Sequence, residues 1–153
     1  MNQSHEYYMQ LAFDAARKEM NAGNGGPFGA VVVKDDEVIG QSGNRVYAEN
    51  DPTAHGEIMA IRDACQTLGS RKLEGCTLYS TCEPCPMCFS AIYFSGIQKV
   101  YFAAYHSDAG RIAGFGMEAL YTELTKPIEA RELTHIQLAR TEGIELLEEW
   151  TKE

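Results

Sequence analysis

Two short sequence motifs carry side chains that could bind a metal ion and do chemistry with it. The first contains His55 and Glu57, and the second contains Cys85 and Cys88. Among the common metals, zinc best suits two thiolates combined with an imidazole. A structural zinc normally has four protein ligands, whereas a catalytic zinc has three and leaves one coordination position for water. The motifs therefore predict one catalytic zinc per chain, held by His55, Cys85 and Cys88.

Glu57 lies two residues after His55 and is not needed as a ligand, so the spacing predicts that it points toward the metal-bound water. A carboxylate placed there can take a proton from water and deliver it to a ring nitrogen and then to a leaving amine. Proton shuttling of this kind contributes roughly 10²–10⁴-fold in rate. These parts suit hydrolytic deamination of an amidine-like carbon in an aromatic heterocycle.

Two other interpretations of the cysteine pair stay open. A C-x-x-C sequence is more often a structural zinc site or a redox dithiol than a catalytic centre. A structural site would need a fourth ligand, and the chain has no second C-x-x-C; its spare histidines are His5, His106 and His135. A redox dithiol would leave the nearby His-Gly-Glu sequence without a role.

Size and charge limit the classes of function. The chain has 153 residues, which favours a single domain. Its net charge is −9, and the few lysines and arginines form no basic stripe of the kind that nucleic-acid binding requires. We therefore expect a small neutral substrate and no nucleic-acid partner.

The sequence shows no signal-peptide pattern and no apolar run of membrane-spanning length. We therefore expect a cytoplasmic protein without a membrane segment. The five cysteines are an odd number and two lie in the C-x-x-C, which argues against a disulfide framework. Cys65, Cys76 and Cys82 are expected to be small buried apolar residues.

Hydrophobic periodicity, capping residues and turn residues predict alternating helices and strands. We expect an α/β fold with three layers (α/β/α) and a mixed five-stranded sheet, with both motifs at helix starts near the carboxyl ends of strands. The expected helices are 4–22, 51–68, 84–95 and 143–150, and the expected strands are 29–34, 38–42, 76–81, 99–104 and 133–139. Ser4 is expected to cap the first helix, and Asp51 the second, with Pro52 at its first position. The buried side of the second helix is expected to carry Ile58, Ile61, Cys65 and Leu68, and Gly69 is expected to end that helix.

The two motifs together match the H-x-E…P-C-x-x-C signature of zinc-dependent base deaminases. Over nearly its whole length the chain resembles the cytidine deaminase-like superfamily, and most of all its bacterial guanine deaminase branch. The strings that carry this resemblance are Gly26–Val31, Asn50–His55, Cys82–Cys88, Ala91–Tyr93, His106–Ala109 and Ala113–Phe115, together with Lys126–Pro127.

The resemblance implies roles for residues around the zinc site. It implies that Asn44 hydrogen-bonds the base and that Phe28 and Phe94 form aromatic walls of the pocket. Ala54 and Glu83, inside the two motifs, are implied substrate contacts as well.

The resemblance also implies a homodimer of single-domain chains. In that branch a C-terminal tail carrying an aromatic residue closes the active site and is exchanged between the two chains. Here residues 140–153 would form the tail, and Trp150 would be its aromatic residue.

Two departures leave the substrate open. Guanine deaminases of this branch have acidic residues directly after the Gly-Phe pair, where this chain has Gly116 and Met117. His-Gly-Glu in place of His-Ala-Glu also occurs in fungal-type cytosine deaminases. Hydrolysis of guanine to xanthine is the first prediction. The alternatives are deamination of cytosine or another aminated heterocycle or nucleoside, deamination of adenosine in tRNA, and a catalytically silent metal-stabilised binding module.

Overall fold

The computed structural model describes residues 3–151, which divide into two units, 3–117 and 118–151. The elements of the first unit are α1 (His5–Asn21), β1 (Gly29–Lys34), β2 (Glu37–Gly43), α2 (Gly56–Leu68), β3 (Thr77–Cys82), α3 (Pro86–Ser95), β4 (Lys99–Ala104) and α4 (His106–Ala113). The second unit contains α5 (Glu118–Thr125), a short 3₁₀ helix (Ile128–Ala130) and α6 (Arg140–Trp150).

The sheet is mixed, with the strand order β2-β1-β3-β4. Strand β1 pairs antiparallel with both β2 and β3, whereas β3 and β4 are parallel and are connected through α3. Among the described residues the sheet has four strands, so the expected fifth strand is wrong. Residues 133–139 form no strand, and Leu133, Ile136 and Leu138 are 74–87% exposed.

Helices cover both faces of this sheet, as the three-layer prediction requires. On one face, Ala30, Val32 and Leu78 of the sheet pack with Ala60 and Ala64 of α2, and Ile92 of α3 completes that cluster. On the other face, Tyr8 and Ala12 of α1 pack against Val31, Val33 and Tyr79. The alternation of neighbouring strand residues between the two clusters follows from the two-residue period of a β-strand.

The start of α1 agrees with the sequence, because the Ser4 side chain accepts a hydrogen bond from the Tyr7 backbone N–H. The start of α2 does not. Asp51 was expected to cap a helix beginning at Pro52, but its carboxylate instead binds the backbone N–H and the hydroxyl of Thr53 in a local turn. Helix α2 therefore begins only at Gly56, directly after His55.

The buried side of α2 is also narrower than its large apolar residues suggested. Ala60 and Ala64 are fully buried, whereas Ile61, Cys65 and Leu68 pack along the edge of the cluster. Small residues face the sheet because the two backbones come very close. A Cβ atom on Gly40 of β2 would lie 2.3 Å from the Ala60 carbonyl oxygen.

None of the described residues of the second unit is buried. Its helices instead expose large apolar side chains, including Leu124, Leu146, Leu147 and Trp150. Within residues 3–151, no helix is long and apolar enough to cross a membrane.

The close contact between β2 and α2 makes a testable prediction. Gly40→Ala should lower the free energy of unfolding by roughly 1–3 kcal/mol, because the added methyl group displaces backbone atoms. Gly143→Ala is the matched control, since a Cβ there meets open space in helix α6. Denaturant unfolding monitored by circular dichroism measures both changes. Equal stability of the Gly40→Ala variant and the parent chain would contradict this packing.

Candidate active site and metal centre

The three expected metal ligands come together at the starts of two helices. His55 is the N-cap residue of α2, Cys85 is the N-cap residue of α3, and Cys88 lies in the first turn of α3. His55 Nδ1 is 3.6 Å from Cys85 Sγ and 3.5 Å from Cys88 Sγ. All three ligand atoms lie within 4.8 Å of one another.

These distances fit a tetrahedral zinc ion. Zinc binds cysteine sulfur and histidine nitrogen at about 2.0–2.3 Å, which places its ligand atoms roughly 3.5–3.8 Å apart. The two helix starts add favourable electrostatics, because the positive end of a helix dipole stabilises a thiolate. The site therefore has the donor atoms, spacing and local field that zinc needs.

The cysteine pair is polarised even without a metal. Hydrogen bonds at the Cys85 sulfur, from Cys88 first and from His55, lower the pKa of the Cys85 thiol to about 4. The same bond to Cys85, together with burial, raises the pKa of Cys88. The contact with Cys85 raises the pKa of His55. At neutral pH Cys85 is thus the thiolate of the pair and faces the His55 ring, whereas Cys88 is the weaker acid.

Glu57 lies directly beside this cluster. It is only 6% exposed, and its Oε2 atom is 3.4 Å from Cys88 Sγ. Its Oε1 atom accepts a hydrogen bond of 3.0 Å from the Ser80 hydroxyl. Burial raises the pKa of the Glu57 carboxyl above its usual value, against the opposing effect of these hydrogen bonds. A raised pKa makes the Glu57 carboxylate a stronger base, which favours proton transfer to it.

A cavity opens above the cluster and is lined by residues of the first unit. His55, Glu57 and Cys85 form its reactive end, and its other polar residues include Asn44, Glu83 and His106. Its apolar lining includes Phe28, Val46, Phe115 and Met117. The rings of Phe28 and Phe115 meet edge to face, with their centroids 5.2 Å apart. Such a cavity suits a flat heterocycle with few polar contacts.

Asn44 is held in one orientation. Its side-chain oxygen accepts hydrogen bonds of 3.2 Å from the backbone N–H groups of Gly26 and Val46. Gly25 allows the close approach, because a Cβ there would lie 2.2 Å from that oxygen. The oxygen is therefore occupied, and Asn44 offers the cavity only its N–H₂ donors rather than a donor and an acceptor.

A buried ion pair fixes the loop that carries Asn44. Glu19 of α1 is 7% exposed and binds the Arg45 guanidinium at 2.7 Å and the Asn24 amide at 2.6 Å. Asn24 in turn accepts backbone hydrogen bonds from Tyr47 and Ala48 through its carbonyl oxygen. The end of α1 thus holds the substrate side of the cavity in place.

The other residues that were expected to contact the substrate differ in whether they line the cavity. Glu83 lines the cavity, and its carboxylate accepts the His106 backbone N–H at 3.2 Å. Ala54 is fully buried, and its carbonyl oxygen binds the Arg45 backbone N–H. Phe94 is 74% exposed at the end of α3 and is not among the residues that line the cavity of the described chain. Trp150 belongs to the second unit, so its role stays a prediction.

Sequence reasoning missed two residues at this site. Ser80 is 1% exposed and touches Glu57, and the sequence signal for it was its position in β3, two residues from both Leu78 and Cys82 and therefore on the same face. His106 lines the cavity at the start of α4. The sequence indicated it only as a spare histidine and as part of a string that matches the family.

The architecture and the His-Cys-Cys set with a buried glutamate define a zinc-binding α/β domain of the deaminase class, and comparison with known proteins agrees. Residues 2–104 match the family model of the cytidine and deoxycytidylate deaminase zinc-binding region. Guanine deaminase of Bacillus subtilis (strain 168) is 46% identical over 96% of this chain and 94% of its own length. An X-ray structure of guanine deaminase from Bacillus subtilis superposes with a TM-score of 0.94 at 44% identity, covering 99% of this chain and 96% of that one.

A tRNA-specific adenosine deaminase of Aquifex aeolicus (strain VF5) is 37% identical over 96% of this chain and 93% of its own length. The chain belongs to the cytidine and deoxycytidylate deaminase zinc-binding family.

The difference in pKa between Cys85 and Cys88 predicts that an alkylating reagent reacts selectively with one cysteine of the metal-free protein. At pH 6, iodoacetamide should modify Cys85 first, because the thiolate is the reactive form and an ordinary cysteine is almost fully protonated at that pH. Bound zinc should protect Cys85. Peptide mass spectrometry measures the rate at each position.

Cys76 and Cys82 are the internal controls for this labelling. Both are buried, and burial raises the pKa of each thiol, to about 11 for Cys82. Labelling of Cys82 as fast as Cys85 in the metal-free chain would contradict the assigned polarity.

Proposed function

We propose that this chain is a zinc-dependent guanine deaminase that hydrolyses guanine to xanthine and ammonia. The observation that carries the proposal is the position of Glu57, whose buried carboxylate lies beside the metal ligands at the reactive end of the cavity. The near-full-length similarity to a guanine deaminase supports guanine as the substrate.

Each part of the site has a task in this reaction. Zinc held by His55, Cys85 and Cys88 supplies Lewis-acid activation of water when it is bound. Glu57 takes one proton from water as the oxygen adds to the amino-bearing ring carbon, and passes it to the ring nitrogen. It then takes the proton of the new hydroxyl group and passes it to the amine as the C–N bond breaks. The water oxygen becomes the new carbonyl, and nitrogen leaves as ammonia.

The cavity walls support a purine base as the ligand. Asn44 can donate to a ring nitrogen or carbonyl oxygen, because its own oxygen is already occupied. The Glu83 carboxylate can accept from an N–H group at the ring edge. Phe28 provides an aromatic surface. Met117 lines the cavity where members of the guanine deaminase branch place an acid, so reading the base rests more heavily on Asn44 and Glu83 here.

The substrate and the role of Glu57 can be tested together. The zinc-loaded chain should release ammonia from guanine faster than from cytosine, adenine, isocytosine, their nucleosides or a tRNA anticodon stem-loop. Glu57→Gln should lower kcat by at least about 10²-fold, because the proton shuttle is lost. The variant should keep one zinc per chain, measured by atomic absorption.

Glu37→Gln, on the exposed part of β2, is the matched control and should keep full activity. Faster release of ammonia from another compound in the panel would show that guanine is not the preferred substrate. Turnover of none of them by a chain holding one zinc would favour the silent binding module, and unchanged turnover by Glu57→Gln would contradict its role.

We also propose that the chain acts as a homodimer in the cytoplasm. On α3, Phe89, Tyr93 and Phe94 are 63–74% exposed, and an aromatic surface of this kind favours contact with a second copy. A reducing compartment would keep the thiolate ligands available for zinc.

The predicted tail, residues 140–153, is proposed to close the active site of the partner chain. Residues 152 and 153 lie outside the described part. In the rest of the tail, α6 exposes Leu146, Leu147 and Trp150, and no residue is buried. A helix that cannot bury an apolar face within its own chain needs another surface to cover that face. This supports an exchanged tail but leaves its partner surface to experiment.

Complementation can test the tail exchange. Glu57→Gln removes the proton shuttle and Trp150→Ala removes the closing side chain, so each homodimer should be weakly active. In a co-expressed heterodimer, the site with an intact Glu57 receives an intact Trp150 only if tails are exchanged. We then expect about half of the parent activity per dimer. Activity no higher than that of the Trp150→Ala homodimer, with a dimeric mass by light scattering, would exclude exchange.

A further inference from the structure

Ser80 is the buried residue at this site to which the reaction described above gives no task. It lies in β3, opposite Ala30 of β1, and is 1% exposed. Its hydroxyl oxygen is 3.0 Å from Glu57 Oε1 and 2.7 Å from the carbonyl oxygen of Cys82. The hydroxyl thus lies between the Glu57 carboxylate and the Cys82 carbonyl group, at the end of the strand that leads to Cys85.

The hydroxyl has one proton and two acceptors within reach, so it can donate to only one of them at a time. When it donates to Glu57, it fixes Oε1 and leaves Oε2 facing the sulfur cluster. When it donates to the Cys82 carbonyl, its lone pairs can accept a hydrogen bond from a proton carried on Oε1. In either arrangement the carboxyl group of Glu57 keeps its partner and its orientation.

We propose that Ser80 is a positioning residue that holds Glu57 in its shuttle geometry throughout the catalytic cycle. A buried carboxyl without this partner would turn about its last side-chain bonds, and a displacement of about 1 Å at a reacting group can cost 10²-fold in rate. Ser80 is neither one of the residues that line the cavity nor one of the three candidate metal ligands. The inference rests on the proposed deaminase function.

The test compares variants of the zinc-loaded full chain with the base that the parent enzyme turns over. Ser80→Ala should lower kcat by roughly 10- to 100-fold, the effect of losing a hydrogen bond to a charged group. KM should stay within threefold, because the cavity is unchanged. Ser80→Thr should recover most of kcat, since it keeps the hydroxyl and suits a β-strand.

A matched control and a structural measurement separate positioning from folding. Ser95→Ala also removes a buried hydroxyl, which donates to the Ile92 carbonyl at 2.7 Å at the far end of α3, and should keep the parent kcat. A crystal structure of Ser80→Ala should show the Glu57 carboxylate turned or spread over several orientations. If Ser80→Ala does not fold, Ser80→Cys should give the same loss of kcat, because a thiol is a weak donor.

Three results would overturn the proposal: Ser80→Ala with a kcat within threefold of the parent, Ser80→Thr as slow as Ser80→Ala, or an unmoved Glu57 carboxylate in the Ser80→Ala structure. Absence of turnover by the parent chain would instead count against the proposed function, so the two failures are distinguishable.

Discussion

The site depends on the backbone contact between α2 and the sheet. A Cβ on Gly40 would lie 2.3 Å from the Ala60 carbonyl oxygen, and one on Gly56 would lie 3.0 Å from Gly29 Cα. At these contacts the backbones of α2 and the strands touch with no side chain between them. The strands therefore fix the position of α2, and with it the positions of His55 and Glu57 at its start. The connection from β3 to α3 brings Cys85 and Cys88 to the same place. The ligand set is therefore held by rigid elements, which is what a well-defined metal geometry requires.

Electrostatic interactions couple the metal ligands to Glu57. Two sulfurs and the Glu57 carboxylate lie together in a largely buried region, where ionised groups are unfavourable unless a cation or hydrogen bonds compensate. His55 and the helix dipoles compensate in part, and a zinc ion would do the rest. Burial raises the pKa of Glu57 while Ser80 and Cys88 oppose that effect. This shift favours a shuttle, because a carboxylate with a raised pKa is a stronger base toward the proton of water.

The sequence allowed much of this to be predicted, because several signals are local. The strand Lys99–Ala104, the cap at Ser4 and the stop of α2 at Gly69 depend on nearby residues and agree with the structure. The prediction of a fifth strand was wrong because alternating polar and apolar residues at 133–139 cannot supply a neighbouring strand to pair with. The predicted start of α2 was wrong because the Asp51 side chain binds Thr53 instead of capping a helix. The orientation of Asn44 depends in part on Gly26, which is 18 positions away, and the contact of Ser80 joins it to Glu57, 23 positions away. The local pattern could indicate the face of β3 on which Ser80 lies but not its partner.

The chemistry and the choice of substrate rest on separate parts of the chain. The zinc ligands and Glu57 lie at the starts of α2 and α3, whereas other walls of the cavity are formed by Asn44, Glu83 and the segment that contains Phe115 and Met117. A change in that segment leaves the metal ligands untouched, because they are held by the sheet. An apolar Met117 removes a charged contact from the cavity wall but does not affect Glu57. In the proposed reaction, a change in the cavity walls can therefore change the base that is bound without any change in the zinc motifs.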